Sequence, residues 1–132
     1  MITITPRDAK RTEMVQPGWH ICECVNYFPK PASTDGSTVH NYEIDIVEGQ
    51  FAGTPLKNLT ISEKALAMGK NFFLATGMPQ AEWDRALKGE SISFDEKNPV
   101  GKRFKAMVSN TKFENRMQNE ATDFLAIAPA SV

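Results

Sequence analysis

An unbroken alternation of apolar and acidic side chains marks the middle of segment 39–47. Three apolar residues alternate with two acidic ones in the order Tyr42, Glu43, Ile44, Asp45, Ile46. A period of two places the apolar side chains on one face of a β-strand and the acidic ones on the other. The segment is therefore predicted to be a strand with one face in a core and the other in solvent.

Similar reasoning predicts four more strands and a helix. Segment 19–28 is rich in β-branched and aromatic residues, and segment 56–61 is predicted to be a short strand with Leu59 and Ile61 facing inward. In segment 102–113, Phe104, Ala106 and Val108 alternate with polar or longer side chains. A hairpin tip at 114–116 precedes a last strand within 117–125. Segment 62–76 has apolar residues at helical spacing and ends at Gly77. Segment 79–87 is compatible with a further short helix, and segments 2–5 and 91–94 with short strands.

The order of these elements is three strands, one helix and two strands. It predicts a mainly β protein, a five-stranded OB-type barrel with one helix between strands three and four. The corresponding domain organisation is an N-terminal arm at 1–17, an OB-fold domain at 18–125 and a C-terminal tail at 126–132. A length of 132 residues fits one domain with a single core.

Composition limits the compartment and the partners. No run of about 18 apolar residues is present, and the N-terminus lacks the order of a signal peptide. We therefore expect a cytoplasmic protein with no membrane partner. The 15 basic and 16 acidic side chains give a net charge of -1. Binding of nucleic acid by charge alone is thus disfavoured, although a local basic groove and stacking aromatics can act in a neutral protein.

Catalytic chemistry has few candidates in this chain. His20 and His40 are the only histidines, and neither a glycine-rich phosphate loop nor a nucleophile elbow is present. Glu43 and Asp45 lie two apart on a strand, but a solvated strand face explains them equally well. We expect a binding protein rather than an enzyme, with no cofactor.

Metal binding is suggested by His20, Cys22 and Cys24, which alternate on one strand face. His20 and Cys24 would lie about 13 Å apart along a strand, too far to share one ion at zinc bond lengths. Without a ligand from another strand, such as His40, the three side chains line a core. The two cysteines are expected to be reduced thiols, because their placement disfavours a disulfide.

Aromatic and basic residues flank the two loops that border the binding groove of OB domains. Tyr27 and Phe28 are adjacent, so one of them must face outward, and basic residues dominate between Lys102 and Arg116, where Glu114 alone is acidic. Outward aromatics stack on bases while cations neutralise phosphates. Such aromatics could equally close the ends of the barrel. The predicted nucleic-acid-binding residues are Trp19, Tyr27, Phe28, Lys30, Lys102, Arg103, Lys105, Lys112, Phe113 and Arg116.

Four segments, 51–62, 72–79, 100–108 and 113–124, resemble bacteriophage-encoded single-stranded DNA-binding proteins in spacing and residue type. The resemblance implies an OB fold and sequence-tolerant binding of single-stranded DNA in phage replication or recombination, within the host cytoplasm. Phage replication or recombination proteins would be partners, and a homo-oligomer is compatible with the sequence. The last acidic residue is Asp123, so recruitment of partners through an acidic tail is not expected.

Two other functions remain open at this stage. An OB-like domain can serve as a protein–protein adaptor without binding nucleic acid, and a small virion structural protein would have a similar composition. Glu43 and Asp45 favour these alternatives, because they would repel phosphate if the outer face of their strand lay in the groove.

Overall fold

The computed structural model describes residues 1–127. A short helix precedes three strands, and a 3-10 helix and two short α-helices separate the third strand from the last two. The elements are α1 (Pro6–Lys10), β1 (Gly18–Pro31), β2 (Thr38–Ile46), β3 (Leu59–Ser62), a 3-10 helix (Glu63–Gly69), α2 (Lys70–Ala75), α3 (Gln80–Leu87), β4 (Arg103–Phe113) and β5 (Arg116–Leu125).

The five strands form one antiparallel sheet in the order β3-β2-β1-β4-β5. Strands β1, β2 and β3 follow one another, and β4 returns after the helices to lie beside β1. This arrangement of four strands is a Greek key, and β5 extends it as a hairpin with β4. The prediction of a mainly β chain with a helix between strands three and four is confirmed.

Closure of the sheet into a barrel was predicted, and the structure corrects this point. Within residues 1–127, no ladder of hydrogen bonds joins β3 to β5, because β3 has only four residues. The segment before β3 makes one backbone hydrogen bond to β5, in which the Lys57 amide donates to the Asn119 carbonyl over 2.8 Å. One bond brings the two edges together without forming a continuous wall.

The core lies on the inner, concave face of the sheet beneath α2. Tyr42 and Phe104 point into it, as their alternation with charged residues predicted, and both are almost completely buried. Phe72 of α2 contacts Tyr42, Phe104 and Phe124 with ring centroids 4.9, 5.6 and 5.2 Å apart. Tilted and edge-on contacts at these distances stabilise aromatic pairs beyond their buried area.

The predicted helix at 62–76 is present in two pieces. Ser62 caps the first by accepting a hydrogen bond from the Lys64 amide, but Ala65 departs from helical geometry. Gly69 joins the two pieces where the chain packs tightly against β3. A Cβ at this position would lie 2.6 Å from Ile61 Cδ1 and 2.7 Å from the Phe73 ring. The close approach to the core, which no local pattern reveals, divides the helix.

The N-terminal arm is anchored to the sheet. Val15 is 1% exposed, its amide donates to Asn119 Oδ1, and its carbonyl accepts from Asn110 Nδ2, both over 3.0 Å. Asn119 Nδ2 also donates to the Glu13 carbonyl over 2.7 Å. A buried asparagine thus satisfies backbone groups of the arm that would otherwise be left unpaired. Part of the segment predicted as an arm therefore belongs to the core.

Three smaller predictions have clear outcomes. Segments 2–5 and 91–94 contain no strand, whereas the short helix expected within 79–87 is present as α3. Residues 128–132 of the predicted tail lie outside the described residues. Throughout residues 1–127, every helix is too short or too polar to span a bilayer.

Candidate nucleic-acid interface

The outer face of β1 and β4 carries most of the predicted binding residues. Alternate side chains of the two paired strands point away from the core, and β5 extends the same face through cross-strand neighbours. The outer strip, as we call this surface, includes Trp19, Ile21, Phe28, Lys30, Arg103, Lys105, Met107, Phe113, Arg116 and Leu125. Two acidic residues, Glu23 and Glu120, share this face as cross-strand neighbours of Arg103 and Ser109.

A β-bulge in β1 decides which of Tyr27 and Phe28 faces outward. The pairing with β2 shifts between Cys24 and Asn26, so Val25 is the extra residue. A bulge exchanges the faces of all residues that follow it. Tyr27 therefore turns inward, with its ring centroid 5.1 Å from that of Tyr42, and Phe28 turns outward.

At the β1–β2 end of the outer strip, Lys30 covers Phe28. Its ammonium nitrogen lies 5.3 Å from the ring centroid, within the range of a cation–π contact. In the adjoining loop, Lys64 forms an ion pair with Asp35, and the hydrogen bond from Lys64 lowers the pKa of Asp35 to about 2. The aromatic and basic groups at this end already have partners within the chain.

In the middle of the outer strip, exposed apolar side chains surround a lysine. Trp19, Ile21, Lys105 and Leu125 line a shallow depression of about 430 Å³. Trp19 is 42% exposed and Leu125 51% exposed. Within residues 1–127, Lys105 forms no ion pair, whereas the neighbouring Arg103 binds Glu23 over 3.1 Å. Lys105 is thus the more available cation for a phosphate.

At the β4–β5 end, Phe113 stands at the root of a two-residue turn and is 54% exposed. Arg116 is its partner across the hairpin, so both side chains emerge on the same face. Gly18, the first residue of β1, pairs with Val108, and β4 continues past this pair to Phe113. The β4–β5 turn and the β1–β2 loop therefore lie at opposite ends of the sheet. The two predicted loop clusters are therefore joined by the outer strip rather than gathered into one pocket.

Three of the predicted residues are not part of the outer strip. Tyr27 faces inward, where its hydroxyl lies 2.6 Å from His40 Nδ1. Lys112 alternates with Phe113 and so points to the other face of β4. Lys102 precedes β4 and lines a separate hollow with Phe94 and Glu82. Tyr27 and Lys112 point away from the outer strip because side chains alternate along a strand, and Lys102 lies outside it because the residue precedes β4.

The acidic residues of β2 are covered by the N-terminal arm. Arg7 of α1 contacts both oxygens of Asp45, at 2.9 and 3.2 Å, and lies 3.5 Å from Glu43. The hydrogen bond with Asp45 raises the pKa of Arg7. The predicted repulsion between these carboxylates and phosphate is therefore reduced by an arginine distant in sequence.

The buried face of β1 offers neither a nucleophile nor a convergent metal site. Burial raises the pKa of Cys22 and of Cys24 to about 12, so both thiols are protonated and weakly nucleophilic near neutral pH. His20 Nε2 lies 2.7 Å from the Gln16 carbonyl. Residues 1–127 contain no cluster of three potential metal ligands.

Two basic residues near the hairpin were missed by the sequence prediction. Arg11 of the arm and Lys57, before β3, line the same groove as Phe113 and Arg116. The run Arg7, Lys10, Arg11 was visible as a basic segment. Its position beside the hairpin depends on contacts of the arm with β4 and β5, about a hundred residues away.

Comparison of the chain with protein-family models and with curated proteins finds no match.

Proposed function

We propose that the chain binds single-stranded DNA across the outer strip, with little dependence on base sequence and without catalysing a reaction. Bases would stack on Trp19, Phe28 and Phe113, while Lys30, Lys105 and Arg116 neutralise phosphates. Stacking tolerates any base because every base has a π-face, and it does not require a basic protein. A net charge of -1 is compatible with this mode of binding.

The observation that carries the proposal is the composition of the outer strip. A strand face in solvent is usually polar, yet this one exposes Trp19, Leu125 and Phe113 along one continuous ladder. Cations stand between these apolar residues, and Lys105 has no acidic partner within residues 1–127. Binding of single-stranded DNA requires stacking surfaces that alternate with positive charges.

The topology supports the finer assignment to an OB-type domain. Greek-key pairing of the first four strands, a helical layer between β3 and β4 and a near approach of Lys57 to Asn119 are consistent with a partly open barrel. We extend the proposal to protection of single strands in phage replication or recombination. This extension rests on the resemblance of segments 51–62, 72–79, 100–108 and 113–124.

The exposed apolar depression favours one second candidate, a protein–protein adaptor. Trp19, Ile21 and Leu125 would accept an apolar side chain of a partner as readily as a base. The two functions differ in their dependence on salt. Phosphate binding releases counterions and weakens steeply with salt, whereas apolar docking does not.

A titration with fluorescently labelled oligo(dT) tests the proposal. Anisotropy should report binding at low salt, with an affinity that falls log-linearly by about 0.7 per neutralised phosphate. The only other tryptophan, Trp83, packs against Lys70 outside the outer strip. In a Trp83→Phe variant, quenching of the remaining fluorescence therefore reports Trp19 alone. Absence of binding at low salt, or equal affinity for duplex and single strand, would overturn the proposal.

A further inference from the structure

A groove of about 700 Å³ separates the N-terminal arm from the β4–β5 hairpin. Its walls come from three regions that are distant in sequence: the arm, the segment before β3 and the start of β5. None of its lining residues within 1–127 is acidic. The side chains that give it its character are Arg11, Met14, Lys57, Phe113, Arg116 and Met117.

The three cations of this groove are only weakly compensated. Lys57 Nζ lies 3.8 Å from Glu120, a long contact between two partly exposed groups, and such pairs contribute little. Within the described residues, Arg11 and Arg116 form no ion pair. Acidic residues slightly outnumber basic ones in the chain as a whole. The local excess of positive charge therefore does not follow from composition, and it favours an anionic ligand.

The apolar part of the groove suits a flat, variable ligand. Phe113 offers a ring that is more than half exposed, and Met14 and Met117 are also exposed. Methionine side chains are flexible and polarisable, so they adapt to partners of different shape and make favourable contacts with aromatic rings. An aromatic ring with two methionines can hold a purine or a pyrimidine without selecting between them.

Docking of the arm holds the groove open at a defined width. Val15 is buried directly after Met14, and the hydrogen bonds of Asn119 to the arm fix the backbone on both sides of it. Arg7 ties α1 to Asp45 at the other end of the arm. Arg11 is therefore presented by a segment that is anchored before and after it.

We infer that this groove binds one nucleotide of a bound single strand, with its phosphate among Arg11, Lys57 and Arg116 and its base against Phe113. The inference rests on the proposed function, because Phe113 and Arg116 belong to both surfaces. The groove meets the outer strip at these two residues and extends to Met117 and Asn119, which lie on the other face of the hairpin. An acidic peptide would satisfy the cations, but it would leave the aromatic ring and the methionines without a flat partner. The N-terminal arm is thereby part of the DNA-binding site.

Photocrosslinking locates the bound strand directly. Oligo(dT) containing 5-iodouracil forms covalent adducts with adjacent aromatic and methionine side chains on irradiation, and mass spectrometry identifies the modified peptide. We expect adducts at Met14 or Met117, which line the groove and are not part of the outer strip, in addition to any at Trp19 and Phe113. Adducts confined to Trp19 and Phe113 would overturn the groove while supporting the outer strip.

Arg11→Gln tests the contribution of the arm, and Lys88→Gln is the matched control. Both residues are exposed, and Lys88 caps α3, outside both surfaces. Each variant removes one positive charge. Because both side chains are exposed, the thermal midpoints of the two variants should remain close to that of the parent. Arg11→Gln should reduce the salt slope of oligo(dT) binding by about 0.7, one phosphate contact, and Lys88→Gln should not change it.

The outcomes separate this inference from the function on which it rests. Binding of oligo(dT) with an unaltered slope in Arg11→Gln would reject the groove and leave the outer strip standing. Failure of the parent chain to bind oligo(dT) would reject both. Arg11-dependent binding of a polyglutamate peptide by a chain that ignores oligo(dT) would identify a protein-docking groove and overturn the inference.

Discussion

The two faces of the β1–β4 ladder are built from alternate residues of the same strands, yet they differ in what covers them. The inner face is closed by α2, and Phe104 is 0% exposed among the rings of Phe72 and Phe124. The outer face has a similar number of large apolar side chains, but no element of residues 1–127 packs over Trp19 or Phe113. Apolar residues on the inner face are explained by packing in the core, whereas no packing within residues 1–127 explains those on the outer face.

The outer strip itself differs from one end to the other. At the β1–β2 end, Phe28 is covered by Lys30, and the nearby loop is tied by the Asp35–Lys64 ion pair. At the β4–β5 end, Phe113 is open and stands beside cations that have weak partners or none within the described chain. The binding energy should therefore be concentrated at the hairpin.

Phe104→Ala should have the largest effect of any substitution discussed, and the effect should be on stability. Removing a buried phenylalanine leaves a cavity and should lower the free energy of unfolding by about 3–5 kcal/mol. Urea unfolding followed by circular dichroism measures the loss. Phe113→Ala, the control on the opposite face of the same strand, should leave the midpoint nearly unchanged. A reversal of the two results would show that the faces have been assigned the wrong way round.

Phe113→Ala should weaken binding of oligo(dT) by about 1–3 kcal/mol, the cost of one lost stacked base. Phe28→Ala, at the other end, should cost less, because Lys30 must leave the ring before a base can stack on it. Anisotropy titrations of both variants at one salt concentration make the comparison. Equal losses would contradict the concentration of binding energy at the hairpin.

Lys105→Ala should chiefly reduce the salt slope, by about 0.7, because it removes one phosphate contact. Arg103→Ala should reduce the slope less, since Arg103 is already engaged by Glu23. The measurement is oligo(dT) affinity over a series of salt concentrations. If neither variant alters affinity or slope, the strand does not cross the middle of the outer strip.

A pH-dependent effect on stability is expected at the inner face of β1. The pKa of Cys22 and of Cys24 is raised by burial from 9.0 to about 12, so the fold favours the protonated thiols. Their contribution to stability is complete below about pH 9 and is lost as the pH rises towards 12. Between pH 7 and pH 10.5, the free energy of unfolding measured with urea should therefore fall more steeply for the parent than for a Cys22→Ala, Cys24→Ala double variant.

Metal removal provides a companion measurement. A chelator should leave the fold and its unfolding midpoint unchanged, because residues 1–127 bring no three potential metal ligands together. One tightly bound zinc per chain would show that a ligand from another strand completes the site.

Much of the fold could be read from local pattern. Alternation placed Tyr42 and Phe104 inside, and both are buried. The polar tip after Phe113 predicted the β4–β5 hairpin, and its position placed an exposed aromatic there. These assignments succeed because the two-residue period of a strand depends only on neighbouring residues, and their order is known from the sequence.

The bulge at Val25 lies beyond such reasoning. Nothing local distinguishes Val25 from the residues around it, and without the bulge Tyr27 would face outward in place of Phe28. The ladder between β1 and β4 ends at Glu23, so the extra residue interrupts only the ladder between β1 and β2. Which aromatic belongs to the outer strip is therefore a consequence of register, not of composition.

Sequence alone thus determined the five strands of the sheet, their order along the chain and the inward positions of Tyr42 and Phe104, because each depends on periodicity within a few positions. Tertiary structure decided that the sheet stays open, that Gly69 divides the helix and that Arg11 and Lys57 join Phe113 and Arg116 in one groove. Each of these depends on contacts between distant segments, such as the bond from Asn119 to the arm, which spans 106 residues. Alternation reveals which side of a strand is buried, but only the assembled chain determines what lies across from it.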